Sequence, residues 1–314
     1  MKHLKKITGR TAKNPGKTLA LLAFILMLSG FFSCEKNVDF NLGDSAAKVV
    51  VEGTIELGLP PVVRFSESIG FFSNIDLKTL AGTFLHDAEI TVSDGTQTVT
   101  LKEYPVVFDS ITFYVYSVDT TNPSAFNFRG ESGKTYSLTI KYQGKTYESS
   151  TFLPPVNPLD SLWAKPPLPE EAPEDYPDAM ELFARYTDPP EPGNKARYFT
   201  SRNGAAFLPP IYSVYNDDIV NGTSVELQLT AGFNKMDSLD RQTYGYFYKG
   251  DTVVVKWCAI DDKVYDFWRT LEFSYGTTGN PFASPVEVSS NISNGALGVW
   301  QAYAVTYDTL IIPR

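Results

Sequence analysis

Thr135–Phe152 reads TYSLTIKYQGKTYESSTF. Tyr136, Leu138 and Ile140 alternate with Ser137, Thr139 and Lys141, the period of a strand with one dry face and one wet face. Gln143-Gly144 falls where a tight hairpin needs positive φ, so the stretch predicts two strands, Thr135 to Tyr142 and Lys145 to Phe152. The same pattern recurs upstream in Lys48 to Leu57, Val62 to Ser66, Ala88 to Asp94, Thr96 to Glu103 and Ile111 to Val118, with a second turn at Asp94-Gly95. Short runs rich in Val, Ile, Thr, Tyr and Phe, each bounded by Gly, Asp, Asn or Pro, read as strands. Over residues 48–154 they predict an immunoglobulin-like β-sandwich that ends at Pro154-Pro155.

Downstream, PPVNPLDSLWAKPPLPEEAPEDYP (Pro154 to Pro177) holds eight prolines, which cannot continue a central strand. Its acidic residues, Glu170, Glu171, Glu174 and Asp175 together with Asp178, offer carboxylates to a calcium ion. No glycine sets the ligand spacing, however, and the segment reads as a solvated loop. Residues 155–314 are then expected to form a second antiparallel β-domain, with strands at Met180 to Tyr186, Ala196 to Arg202, Ile211 to Tyr215, Ser224 to Leu229, Thr243 to Tyr248, Asp251 to Ile260, Val286 to Ser289 and Ala296 to Tyr307. One helix interrupts them near 262–274. Asp261 or Asp262 can cap it, and Val264, Phe267, Trp268 and Leu271 fall on a single stripe. The fold class is therefore all-β with one packed helix, in two domains.

The start of the chain has a different character. Lys2, Lys5, Lys6, Arg10, Lys13 and Lys17 precede LALLAFILMLSGFFSC (Leu19 to Cys34), and no acidic residue stands among them. A basic start, an apolar run and a small residue ahead of a lone cysteine make a secretory signal of the lipoprotein type. Residues 1–33 are the expected signal, Cys34 the thiol that takes acyl chains such as palmitate, and residues 34–47 a polar tether. As an uncleaved anchor, Leu19 to Phe32 offers 14 residues, short of the ~20 that span a bilayer.

Cleavage before Cys34 leaves 281 residues with 21 basic and 36 acidic side chains, a net charge of −15. Such a surface repels nucleic acid and anionic membrane, and no nucleic acid is expected as a partner. Of two cysteines only Cys258 is left unacylated, so the fold must stand without a disulfide. His86 is the one remaining histidine, there is no Gly-x-Ser-x-Gly elbow, and one histidine with one cysteine does not make a zinc site. No catalytic residue, cofactor or metal is expected, and Cys258, inside VVVKWCAI, reads as a buried thiol. The enzymatic alternative is a carbohydrate-active hydrolase using paired carboxylates, for which Asp217-Asp218 and Asp261-Asp262 are the adjacent doublets. A third reading is an adhesin or structural envelope protein. Contact with a ligand or partner is better served by Tyr244, Tyr246 and Tyr248, placed on one face of their expected strand, and by Phe282 in the loop GTTGNPFASP.

Asp262 to Trp300, DKVYDFWRTLEFSYGTTGNPFASPVEVSSNISNGALGVW, together with VEG at Val51 to Gly53, AEITVSDG at Ala88 to Gly95 and Asp160-Ser161-Leu162, resembles a family of Bacteroidota envelope lipoproteins, domain of unknown function number 4249. The resemblance covers nearly the whole mature chain. It implies an outer-membrane lipoprotein, lipid-anchored and surface-exposed, with an accessory role beside a TonB-dependent receptor in ligand capture or transport. It carries no catalytic residues. Asp-Ser/Thr-apolar triplets, among them Asp44-Ser45-Ala46 and Asp119-Thr120-Thr121, are similar to the O-glycosylation signal of these bacteria. Ser45 and Thr120 are the first candidates for modification.

Overall fold

A computed structural model describes residues 47–70, 76–170, 172–173, 175–234, 237–240, 242–277, 284 and 286–314. Fifteen strands and three helices follow one another among these residues. The first strands are β1 (Val49–Glu56), β2 (Val62–Glu67), β3 (Glu89–Ser93), β4 (Thr98–Phe108), β5 (Ile111–Val118), β6 (Thr135–Tyr142) and β7 (Lys145–Phe152). After them come β8 (Ser161–Lys165), β9 (Ala179–Thr187), β10 (Lys195–Arg202), β11 (Val214–Asn216), β12 (Ser224–Leu229), β13 (Phe247–Tyr248), β14 (Thr252–Ile260) and β15 (Leu297–Ile311). The helices are α1 (Leu77–Ala81), α2 (Pro123–Phe126) and α3 (Asp262–Thr277). The fold is all-β, as the alternation predicts.

Eleven strands form one sheet in the order β11-β10-β14-β15-β1-β2-β5-β4-β3-β6-β7. The hairpin predicted over Thr135 to Phe152 is present with the expected bounds. Gln143 and Gly144 have φ of 46° and 76°, the two left-handed residues a type I′ turn requires. The sheet curls until its far end returns over β15: the Ala302 N–H donates to Thr151 Oγ1 (3.1 Å) and the Trp300 indole N–H to the Tyr136 carbonyl (2.8 Å). Inside the curl, Val51, Ile55, Phe65, Ile90, Leu138 and Trp300 make a dry core.

The chain's last strand closes this layer by running parallel to its first, with Val50 opposite Leu297 and Gly53 opposite Trp300. A Cβ on Gly53 would come within 2.5 Å of the Trp300 ring, so the indole occupies the space a side chain would need. Gly298 is more constrained still. Its φ is 108°, and a Cβ there would lie 1.9 Å from the Val51 carbonyl oxygen.

The second half builds on the other end of the same strand. In β14, Val253, Val255 and Trp257 face one side, and Cys258 and Ile260 belong to the core on the other. Both faces are covered, which is why VVVKWCAI is nearly continuous in apolar residues. One cover is a smaller sheet in which β9 pairs with β8, β12 and β13; it contributes Leu182, Ala184 and Tyr186. The other is α3. Asp261 caps it by accepting from the Val264 N–H (2.9 Å), while its second oxygen accepts from Thr151 Oγ1 and the Phe152 N–H, both at 2.7 Å. Leu153 lies in the first core and Leu159 in the second. β15 belongs to both, giving Trp300, Ala302 and Ala304 to the first and Leu310 to the second.

Beneath α3 lies a buried polar network. The Arg197 guanidinium stacks on Trp268, 3.3 Å from the ring centre, and donates to Ser213 Oγ (3.0 Å) and Tyr303 OH (2.6 Å). Ser213 in turn donates its hydroxyl and its backbone N–H to the two oxygens of Glu272 (2.5 and 2.8 Å). Tyr303 and the Trp268 indole both donate to Gln301 Oε1 at 2.7 Å, and Gln301 Nε2 donates to Thr54 (2.9 Å). Arg197, Ser213, Glu272 and Gln301 are all buried, so each needs these partners to offset lost hydration.

Several expected elements differ: the strand predicted over Ile211 to Tyr215 is only Val214–Asn216, and the proline-rich stretch read as a loop contains β8, because β9 offers it an edge. The strand predicted over Thr243 to Tyr248 is only Phe247–Tyr248, because Gly245 turns the chain at φ 93°. Val286 to Ser289 pairs with no strand among the described residues, and its Ser289 N–H donates to Thr270 Oγ1 instead (3.0 Å). β4 runs on past Glu103 through Pro105 to Phe108.

Two outcomes follow. Gly298→Ala is expected to lower unfolding free energy by ~2–4 kcal/mol, combining left-handed strain with a clash against fixed backbone, as read by urea denaturation. Cys258 is fully buried, and burial pushes its thiol up to about 12. A disulfide reagent is therefore expected to leave it unmodified in the folded protein at neutral pH and to react with it in denaturant.

Candidate functional site

Tyr244, Tyr246 and Tyr248 do not form the expected strand face, yet the turn at Gly245 still brings them to one place. They line a cleft of about 610 Å³ together with Phe233, Leu239, Arg202 and Asn203. All three rings are half-buried. Tyr244 packs edge-on against Phe233, with ring centres 5.4 Å apart, and its hydroxyl accepts from the Ile211 N–H (2.8 Å). The Tyr248 ring lies 5.4 Å from the Arg202 guanidinium and 6.1 Å from Tyr176. Burial raises both phenol pKa values, so both rings enter the cleft neutral.

The polar side of the cleft is already organised. Asn203 Nδ2 donates to Asp251 (2.8 Å), and its carbonyl accepts from the Thr252 N–H (2.9 Å). Asp240 accepts from the Gln242 N–H and the Thr243 hydroxyl, both at 2.9 Å, and these bonds lower its pKa. Half-exposed aromatic faces beside fixed amide and guanidinium groups suit a flat ligand with an apolar face and a polar edge, a sugar ring or an amide-bearing side chain. Of two further tyrosines, Tyr215 stacks on Tyr198 (5.8 Å) inside the second core, and Tyr212 is exposed. Arg202, Asn203 and Phe233 carried no local sign of this role. They come from β10, the turn after it and a loop, which only the fold brings together.

A second cleft, of about 700 Å³, lies between Pro154–Asn157 and the start of α3. Its acids are engaged: Asp261 holds the helix cap and Phe152, and Asp262 pairs with Lys195 at 2.5 Å. The other doublet is spent in the same way. Asp217 accepts from the N–H groups of Gly193 (2.7 Å) and Asn194 (2.9 Å), and Asp218 accepts from Asn216 (2.5 Å). Asp308, whose carboxyl burial pushes upward, lines neither cleft. His86 pairs with Glu103 and stands edge-on to Tyr114. Among the described residues no group of three His, Cys, Asp or Glu could hold a metal ion, and no helix is long and apolar enough to cross a membrane.

Thr120 is exposed in the turn that leads into α2, where Asp119 accepts from both the N–H (2.9 Å) and the hydroxyl (2.7 Å) of Thr121. This is the turn chemistry that Asp followed by Thr supplies. Cys34, Ser45 and Phe282 lie outside the described residues.

No curated protein matches the chain. The profile of the family described as domain of unknown function (DUF4249) matches residues 35–309, from the residue after Cys34 almost to the end of β15, and the chain belongs to that family.

Proposed function

We propose that the protein is a lipid-anchored, non-enzymatic outer-membrane lipoprotein of the Bacteroidota, held by acylated Cys34 and accessory to a TonB-dependent receptor in ligand capture or transport. The observation that carries this reading is the apolar run Leu19 to Phe32 between six basic residues and Ser33-Cys34, a signal pattern whose lone cysteine is the acylation point. The family match begins one residue beyond that cysteine, which fits a mature chain that starts there. Several acyl chains on one thiol and one amine make attachment effectively permanent. The tyrosine cleft supplies the ligand contact in this reading. Its aromatic faces and the engagement of both acidic doublets in backbone and helix-cap hydrogen bonds favour binding over hydrolysis.

Mass spectrometry of the protein from native envelopes is expected to find residue 34 as the N-terminus carrying fatty acids. A Cys34→Ala variant is expected to lose palmitate labelling and detergent-phase partitioning. An unmodified Cys34 would overturn the anchor. Purification of the lipidated protein is expected to recover a TonB-dependent receptor, and its consistent absence would overturn the accessory role.

A further inference from the structure

β4 and β5 continue well beyond their neighbours. β3 pairs with β4 only over Thr98–Thr100, and β2 pairs with β5 only at Tyr116 and Ser117. The β4–β5 pairing nevertheless runs on to Phe108 opposite Ile111. The two strands therefore project as a ribbon, closed by Asp109 and Ser110 at φ of 48° and 63°. A ribbon in water should alternate apolar and polar residues. Here Pro105, Val106, Val107 and Phe108 follow one another without a polar residue, so β4 presents apolar side chains to both faces of the tip; Ile111 faces Phe108, and Thr112 faces Val107. Among the described residues little covers them: Val106 is 45%, Val107 70% and Phe108 63% exposed. On the facing strand Phe113 and Tyr114 are covered by Phe84 (6.0 and 6.3 Å), so the exposure lies along Pro105–Phe108 and the closing turn.

The position of this tip says what it faces. β1 and β2 are antiparallel, with Val49 opposite Glu67, and β2 and β5 are antiparallel, with Val63 opposite Tyr116. The start of β5, and with it the tip, thus lies at the end of the sheet where β1 begins. Local contacts agree: the Lys48 N–H donates to Ser68 Oγ (3.0 Å), Ser66 and Phe84 form a backbone bridge, and the Phe84 ring lies 6.0 Å from that of Phe113. The connector from Cys34 therefore enters the fold at the same end. Residues 35–46 can span at most ~40 Å when fully extended.

We infer that the β4–β5 tip dips into the bilayer that holds the acyl chains, with Val107 and Phe108 in the interfacial layer, so that the body meets the membrane at two points and in one orientation. This rests on the acylation of Cys34 proposed above. Insertion stops at interfacial depth, because the ribbon's outer edges carry backbone groups that hydrocarbon would leave unpaired.

The test uses the full lipidated chain in vesicles of phosphatidylethanolamine and phosphatidylglycerol. An environment-sensitive dye is attached through Phe108→Cys or, at the opposite end of β4, through Thr96→Cys; native Cys258 is buried and takes no label. The dye at 108 is expected to shift to the blue and to be quenched by headgroup-labelled lipid, while the dye at 96 stays water-like. Vesicle-bound protein with a water-like signal at 108 would overturn the inference and leave the anchor standing. Failure of the protein to float with vesicles would overturn the anchor and the inference together. A dye at 108 that is shielded in native envelopes but not in pure lipid would assign the tip to a protein partner and overturn the bilayer as its occupant.

Discussion

A single indole sets the terms for most of this fold. Trp300 is fully buried, and its ring fills the space over Gly53 that any other residue there would claim. Its N–H donates to β6, and its backbone N–H and C=O are held by the Asn291 side chain (2.9 and 2.8 Å). One residue thus ties three separate parts of the chain together: the first strand, the middle hairpin and the loop before the last strand. The glycines at 53 and 298 are the complement of that arrangement, since the first admits the ring and the second admits the Val51 carbonyl. The aliphatic core of the curled sheet packs around the same ring.

What could be read in advance was whatever local chemistry decides. The Gln143-Gly144 hairpin appears with its expected bounds because positive φ at two adjacent residues is a property of the turn itself. The helix was legible for a similar reason, as Asp261 caps it from within four residues and its stripe has its own period. Where the outcome depended on distant partners, the pattern misled. Thr243 to Tyr248 alternates like a strand, yet only Phe247 and Tyr248 join the ladder with β9, and Gly245 turns the chain aside before them. β8, inside a proline-rich segment, is a strand only because β9 offers it an edge.

The polar network beneath α3 and the tyrosine cleft lie at the far limit of legibility. Arg197, Ser213, Glu272 and Gln301 sit on four different elements, and none carries a local sign that it will be buried. Their association follows from covering both faces of β14: once α3 closes one side, every polar group beneath it must find a partner there. The cleft has the same origin. Its aromatic rings were visible as a cluster, but the amide and guanidinium beside them come from β10 and the turn after it, and only the smaller sheet's placement brings them together.

The pairing of the last strand with the first has a kinetic consequence. Gln301 and Thr54 are hydrogen-bonded across 247 positions of sequence, so the central seam of the sheet is also its longest loop closure, and contacts of that span form slowly. Until β15 emerges and docks, β1 has one naked edge and the first core lacks its tryptophan. A chain made from its N-terminus therefore completes neither core until β15 is available to pair with both β1 and β14, and its apolar strands stay open to misassociation until then.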